Sequence, residues 1–158
     1  MQRIIDALSG LPVRAVVTTG PALDPRLFSA AGTVHVVQSA PHGPLIDRAA
    51  VVVTHCGHGT ALKSLAAGVP LVCIPMGRDQ DDTAARVVHH GAGVRLSPRA
   101  STDRIRAAIG KVLAHDKYRV AAERLADAIA AERETSTLVA DLESLATIRA
   151  TGADGQRL

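Results

Sequence analysis

Short runs rich in β-branched residues alternate with helical segments along most of the chain, and this alternation constrains the fold more than any other feature. We predict strands at residues 13–18, 33–37, 50–54 and 71–74, with a short last strand at 94–96. Helices are predicted at 4–8, 45–49, 60–67 and 81–90, and most of them end near glycine or proline. Strands that alternate with helices in this way predict a doubly wound α/β sheet of parallel strands.

The pattern is helical from residue 102 onward. Apolar residues three and four positions apart predict one helix from about residue 102, a second over about 118–129 and a weaker third over 138–148. Ser101 or Thr102 is available as the N-cap of the first of these helices. We therefore predict one domain over residues 1–150 with C-terminal helices, followed by a flexible tail over 151–158.

Composition narrows the classes of function. The chain has 158 residues, 47% of them hydrophobic but only 1% aromatic, so its core must consist of alanine, valine, leucine and isoleucine. The net charge of +3 suits a small anionic ligand. Because the arginines are scattered and no aromatics interleave with them, we expect no nucleic-acid partner. No apolar run approaches the roughly 20 residues of a membrane span. We expect a cytoplasmic protein with no integral membrane segment.

The most informative segment, VTHCGHGTAL at residues 53–62, joins a buried strand directly to a helix through a loop with two glycines. Glycine lets the backbone approach a ligand, and a helix N-terminus offers unpaired N–H groups at the positive end of a dipole. Such a turn binds phosphate or diphosphate, to which the Thr60 hydroxyl and the His55 imidazole would add donors. The alternative is a purely structural turn, because the segment matches neither the Walker pattern nor G-x-G-x-x-G.

The same segment suggests two other chemistries, and we favour neither. His55 and His58 have the spacing of one helical turn, but they flank a glycine in a predicted loop and no carboxylate or further histidine follows nearby, so we expect no metal. Cys56 has no recognisable base to make it a nucleophile. Cys56 and Cys73 are interpreted as reduced core residues, and we assign no catalytic residue.

A polar segment, PMGRDQDD at residues 75–82, follows the fourth predicted strand. Asp79 and Gln80 have the acceptors and donors that vicinal sugar hydroxyls need. The alternative is a capping cluster, in which Asp81 and Asp82 complement the dipole of the next helix. The segment APHGP at 40–44 would bracket a flat ring with backbone groups or form a simple turn.

Three segments carry a family resemblance by their order and spacing: THCGHGT at 54–60, AAGVPL at 66–71 and PMGRDQ at 75–80. The chain resembles the C-terminal, nucleotide-sugar-binding domain of GT-B fold glycosyltransferases of family 1. This family includes actinobacterial natural-product glycosyltransferases and plant enzymes. The resemblance covers residues 4 to about 145 and implies a Rossmann-like C-terminal half of a GT-B enzyme.

The resemblance also implies a role for each matching position. The diphosphate would be bound by His55, Gly57, His58, Gly59 and Thr60. The sugar would be bound by Asp79 and Gln80. The base and ribose would be bound by Ser39, Ala40 (through its backbone), His42 and Lys63. Two positions depart from the family: Ser39 replaces an aromatic that stacks on the base in many relatives, and Lys63 replaces a ribose-binding glutamate.

The implied function is transfer of a sugar, with inversion, from a UDP- or dTDP-sugar to a hydroxyl of a small lipophilic acceptor. The nucleotide sugar is a substrate, and no cofactor is expected. Relatives carry an acceptor-binding domain that this sequence does not contain. Alternatives are the soluble donor-binding subunit of a split, two-chain glycosyltransferase, a non-catalytic nucleotide-binding or interaction module, and a nucleotide epimerase of the same fold.

Relatives also begin this domain with a central strand that has no counterpart before Arg3. By the usual strand order, its absence leaves a gap between the first and third predicted strands. Because unpaired ladder groups are costly, we expect the gap to close by direct pairing or to be filled by another chain.

Overall fold

The computed structural model describes residues 1–144, which form a mixed α/β fold with parallel strands, as the sequence predicts. The strands are β1 (Ala15–Thr18), β2 (Val34–Val37), β3 (Val52–Thr54), β4 (Leu71–Cys73) and β5 (Gly93–Arg95). The α-helices are α1 (Gln2–Ser9), α2 (His42–Ile46), α3 (His58–Ala66), α4 (Gln80–His89), α5 (Thr102–Ala114) and α6 (Lys117–Thr135). A short 3₁₀ turn at Pro25–Leu27, which the sequence pattern did not indicate, lies between β1 and β2.

The strands form two separate sheets, β1-β2 and β3-β4-β5. On one side of β1, the N–H groups of Ala15 and Thr19 donate to the carbonyls of Thr33 and Val37, both at 3.0 Å. Because backbone groups alternate in direction along a strand, those of Val16 and Thr18 point away from β2. The same alternation turns the backbone of Val53 away from β4. No described residue pairs with either edge. The prediction that β1 and β3 pair directly is therefore wrong, and filling of the gap by another chain stays a prediction.

Two clusters of small and branched side chains form the core. The first joins the two sheets to α1 and α5, and it includes Ile5, Val17, Val72 and Ile109. This shared cluster holds the sheets together in the absence of a continuous ladder. The second lies on the other side of β3-β4-β5, against α3, α4 and α6, and its members include Leu71, Cys56, Cys73, Ala84, Val87 and Ala122.

Several helix boundaries differ from the predictions. The helix α1 begins at residue 2 instead of 4, after Met1 as N-cap, and α6 ends at 135 instead of about 129. The helix α3 begins at residue 58 instead of 60, because extended Gly57 serves as its N-cap. The helix α2 begins at 42 instead of 45, with Pro41 as N-cap. At α5 the prediction is confirmed, since the Ser101 side chain accepts from the Arg104 N–H at 3.4 Å.

The predicted helix at 138–148 is helical over 138–144, and its remainder lies outside the described residues together with the predicted tail at 151–158. Over residues 1–144, every helix is too short or too polar to cross a membrane.

Candidate functional site

The loop after β3 is shaped by hydrogen bonds from its own backbone. Thr54 accepts twice: its hydroxyl from the Cys56 N–H at 3.1 Å, and its carbonyl from the Ile74 N–H at 2.8 Å. Cys56 has a φ of +68°, a conformation that is uncommon outside glycine. Its side chain is fully buried, whereas the preceding residue, His55, is exposed. The turn thus fixes an imidazole at the surface, beside the end of the strand.

Gly57 gives His55 the space that it occupies. A Cβ at Gly57 would lie 2.6 Å from Nε2 of the His55 ring and 3.2 Å from its Cδ2. The backbone of Gly57 is at φ −60° and ψ 141°, which any residue adopts. The loop therefore needs glycine here for room and not for conformational freedom.

The N-terminus of α3 presents free donors. The first intrahelical bond runs from the Ala61 N–H to the Gly57 carbonyl at 3.1 Å, and no side chain caps the helix. The N–H groups of His58, Gly59 and Thr60 have no acceptor among the described residues. Apart from its chain neighbours and the backbone of α3 itself, no atom of residues 1–144 lies within 4 Å of a Cβ built at Gly59, so the space beside it is open. His58 and Gly59, expected in the loop, belong to the first helical turn, where the dipole favours an anion.

The two sugar-binding candidates lie at the start of α4 and differ in their surroundings. The Gln80 Oε1 accepts from the Met76 N–H at 2.7 Å, which ties the side chain to the loop that precedes the helix. The Asp79 carboxylate is exposed and makes no hydrogen bond or ion pair within residues 1–144. Asp81 pairs with Arg95, and both Asp81 and Asp82 lie in the first turn of α4, as the capping interpretation predicts. Asp79 therefore remains available to a ligand.

An open cleft of about 400 Å³ lies between α3 and α4. His58 and Asp79 both line it, so the packing of these two helices brings one diphosphate candidate and one sugar candidate to the same space. His55, Thr60 and Gln80 do not line this cleft.

The base- and ribose-binding candidates lie beside α3. Ser39 and Ala40 follow β2, and His42 is the first residue of α2, which packs against α3. Lys63 is on α3 itself. Ser39, His42 and Lys63 are exposed and Ala40 is half-buried. Each of these residues follows the carboxyl end of a parallel strand or lies on the next helix, the region where such folds bind ligands.

Sequence reasoning did not identify three residues that build the site. Thr54 and Cys56 define the loop turn, and the Met76 N–H holds Gln80. The spacing of Thr54 and Cys56 is that of a side chain that accepts from the backbone two residues on, a local signal that was present in the sequence. The Met76 contact depends on the loop conformation and left no such signal.

Comparisons with known proteins connect the whole domain to a described family. Residues 2–145 match the family described as erythromycin biosynthesis protein CIII-like, C-terminal domain. The 4'-demethylrebeccamycin synthase of Lentzea aerocolonigenes is 37% identical over 142 residues, which is 89% of this chain and 33% of that protein. A PGL/p-HBAD biosynthesis rhamnosyltransferase of Mycobacterium bovis is 34% identical over 134 residues, which is 84% of this chain and 29% of that protein. The chain thus spans about a third of the length of these relatives.

Solved structures give the same result. The calicheamicin glycosyltransferase CalG4 superposes with a TM-score of 0.77 at 28% identity, over 82% of this chain and 34% of that chain. The spinosyn rhamnosyltransferase SpnG, in its complex with thymidine diphosphate, superposes with a TM-score of 0.75 at 28% identity, over 82% of this chain and 36% of that chain.

Proposed function

Because this chain belongs to the family of erythromycin biosynthesis protein CIII-like C-terminal domains of family 1 glycosyltransferases, we propose that it binds a UDP- or dTDP-sugar as the donor for glycosyl transfer. The observation that carries the proposal is the uncapped N-terminus of α3, which follows directly on the loop of His55 and Gly57. The thymidine diphosphate complex of SpnG, a 28% identical neighbour, supports a dTDP-sugar.

Electrostatics of the site suit a diphosphate. The three N–H groups of residues 58–60, which have no acceptor in the described part of the chain, lie at the positive end of the α3 dipole. The exposed imidazole of His55 and the hydroxyl of Thr60 add donors beside them. Negative charge grows on the nucleoside diphosphate as the sugar leaves, and fixed donors stabilise that charge without reorganising. The domain's part in catalysis is thus to stabilise the leaving group.

We assign contacts with the sugar, base and ribose of the donor from the positions of the remaining candidate residues. The free carboxylate of Asp79 accepts from a sugar hydroxyl, and Gln80 donates through its amide because its oxygen is already bound to Met76. Ser39, Ala40, His42 and Lys63 face the base and ribose. Ser39 in place of an aromatic gives less stacking on the base, so the diphosphate carries more of the affinity.

For the whole reaction we propose direct displacement at the sugar, with inversion, by a hydroxyl of a small lipophilic acceptor in the cytoplasm. We assign the deprotonating base to no residue of this chain. Among residues 1–144, no strand pairs with the outer edges of β1 and β3, and this favours a second candidate, in which a separate polypeptide completes the sheet and supplies the acceptor site. Co-purification of one polypeptide in a fixed ratio would support that candidate, and an isolated chain in native cells would exclude it.

Titration calorimetry with dTDP, UDP and their glucose conjugates tests the proposal. We expect binding by the wild-type chain and a Kd raised at least about tenfold by His55→Ala, since a hydrogen bond to a charged group contributes about 1.5–3 kcal/mol. Thr60→Val should weaken binding and Thr60→Ser should retain it. His89→Ala, which removes an exposed imidazole from the other end of α4, is the matched control.

Two results would contradict the proposal. Absence of heat with every nucleotide would mean a non-catalytic interaction module that does not use this site. Binding that is unchanged in both His55→Ala and Thr60→Val would place the nucleotide elsewhere on the domain.

A further inference from the structure

The two cysteines of the chain lie next to each other in the core, below the loop that joins β3 to α3. The Sγ of Cys56 lies 3.1 Å from the Sγ of Cys73, and both residues are fully buried. Cys56 belongs to the loop after β3, and Cys73 is the last residue of β4. Both are free thiols. A disulfide bond is about 2.05 Å long, so the sulfurs need to approach by only about 1 Å to form one.

The position of Cys56 connects this thiol pair to the surface. Cys56 stands between exposed His55 and Gly57, in a backbone conformation with a φ of +68°. Such a conformation is costly for a residue with a side chain, so the turn is held by its surroundings, namely the Thr54 hydroxyl and the buried sulfur. Because residues 55–57 lie outside the β3-β4 ladder, a local opening of this loop would expose the Cys56 sulfur while the pairing of β4 stays intact.

We propose that Cys56 and Cys73 form a reversible dithiol–disulfide site for small-molecule disulfides, and that oxidation of this site weakens donor binding. The proposed thiol chemistry rests on the closeness of the two sulfurs and does not depend on the proposed function. The effect on binding rests on the proposed function, because the loop of Cys56 also carries His55 and leads into α3.

The exchange proceeds in two balanced steps. The Cys56 thiolate attacks one sulfur of the oxidant RSSR, breaking its S–S bond to give a mixed disulfide Cys56–S–S–R and releasing RS⁻, which takes up the Cys56 proton. The Cys73 thiol then loses its proton, and its sulfur attacks the Cys56 sulfur to release the second RSH. Two electrons and two protons pass from the protein to the oxidant, which leaves as two thiols.

Geometry and electrostatics both make Cys56 the attacking residue. Cys56 lies in the loop that opens, whereas Cys73 lies within the ladder of β4. The hydrogen bond with Cys73 lowers the pKa of Cys56 against the opposing effect of burial. That same hydrogen bond, together with burial, raises the pKa of Cys73. The thiolate of the pair is therefore on Cys56.

Disulfide formation draws the Cys56 backbone toward β4. Because Gly57 already fits closely under the His55 ring, this movement shifts the imidazole and the first N–H groups of α3 together. Misplacement of binding groups by about 1 Å is costly, and we expect the Kd for dTDP to rise about tenfold or more.

The test treats the reduced, full chain with hydroxyethyl disulfide and follows it by intact mass, thiol titration and calorimetry with dTDP. We expect a mass loss of about 2 Da, disappearance of both thiols, a weaker Kd, and recovery of all three with dithiothreitol. Cys73→Ala should stop at a mixed disulfide, a gain of about 76 Da on Cys56. Cys56→Ala should remain unmodified.

Each contrary result has a distinct meaning. A wild-type chain that keeps both thiols, or a Cys56→Ala variant that reacts as fast as Cys73→Ala, overturns the proposed site. A disulfide that forms while the Kd for dTDP stays the same overturns the link to binding. Failure of the reduced wild type to bind either dTDP or UDP would contradict the proposed function itself, and the mass result would then decide the thiol chemistry alone.

Discussion

Replacing Gly57 with alanine is expected to weaken nucleotide binding while the domain stays folded. The new Cβ would lie 2.6 Å from the His55 Nε2, against about 3.5–4.0 Å for an optimal nonbonded contact, so the ring must move by roughly 1 Å. Loss of one hydrogen bond to a charged group costs about 1.5–3 kcal/mol, which corresponds to roughly a 10- to 150-fold rise in Kd.

Stability should change little in the same variant. Alanine adopts the φ of −60° and ψ of 141° at Gly57 without strain. Because alanine gives the unfolded chain less conformational entropy than glycine does, the substitution stabilises the fold by about 0.4–1 kcal/mol. Alanine is a poorer N-cap than glycine by a similar amount, and the two effects offset. We expect the free energy of unfolding, measured by urea denaturation, to change by less than about 1 kcal/mol.

A double-mutant cycle with His55→Ala identifies the cause. Without the imidazole, the Gly57→Ala methyl group displaces nothing, so we expect no further loss of dTDP affinity by calorimetry. An equal loss in the presence and absence of His55 would refute the reasoning, because it would mean that the methyl group obstructs the ligand directly.

Three further predictions concern other parts of the domain. Asp79→Asn should weaken binding of dTDP-glucose but not of dTDP in calorimetry, whereas Asp127→Asn, which changes an exposed carboxylate on α6 outside the cleft, should leave both ligands unaffected. Equal loss for both ligands would contradict a sugar contact. Gly93→Ala should lower the free energy of unfolding by about 3 kcal/mol in urea, because its Cβ would collide with the backbone of β4 and come within 2.9 Å of a side chain on α4. An unchanged midpoint of urea denaturation would show that the sheet accommodates the added methyl group at residue 93. Arg119→Ala should cost about 1–3 kcal/mol on the same assay, because its guanidinium donates to three backbone carbonyls at 3.0–3.1 Å, whereas the exposed Arg124→Ala on the same helix should cost almost nothing. Equal effects of the two arginine variants would exclude those bonds as the cause.

Local patterns predicted most of the architecture. Strand and helix positions follow from the spacing of apolar residues and from the glycines and prolines between them, and five strands and six helices lie where these patterns indicated. The starts of α1, α2 and α3 differ from the predictions by two or three residues, because Met1, Pro41 and Gly57 are the N-caps and no polar side chain marks the helix start. The strands β1 and β3 begin two residues later than predicted, and α6 continues beyond its predicted end to Thr135.

Features that depend on distant parts of the chain were beyond the sequence. The meeting of His58 and Asp79 in one cleft depends on how α3 packs against α4. The positive φ of Cys56 is imposed by its burial against Cys73, and a positive φ would ordinarily be predicted only for glycine. Strand pairing is likewise non-local, which is why the separation of β1 from β3 did not follow from the pattern of either strand.

The separation of β1 from β3 leaves the domain in two halves that no backbone ladder of residues 1–144 joins. Between these halves, α1 packs on α5, and Arg3 donates to the Ala100 and Pro98 carbonyls at 2.7 and 3.0 Å. Apolar contact of this kind has no preferred direction and resists sliding far less than a ladder of backbone bonds does. We expect the β1-β2 half to unfold before the β3-β4-β5 half as denaturant is added. The loop that joins β3 to α3 then belongs to the more stable half of the domain.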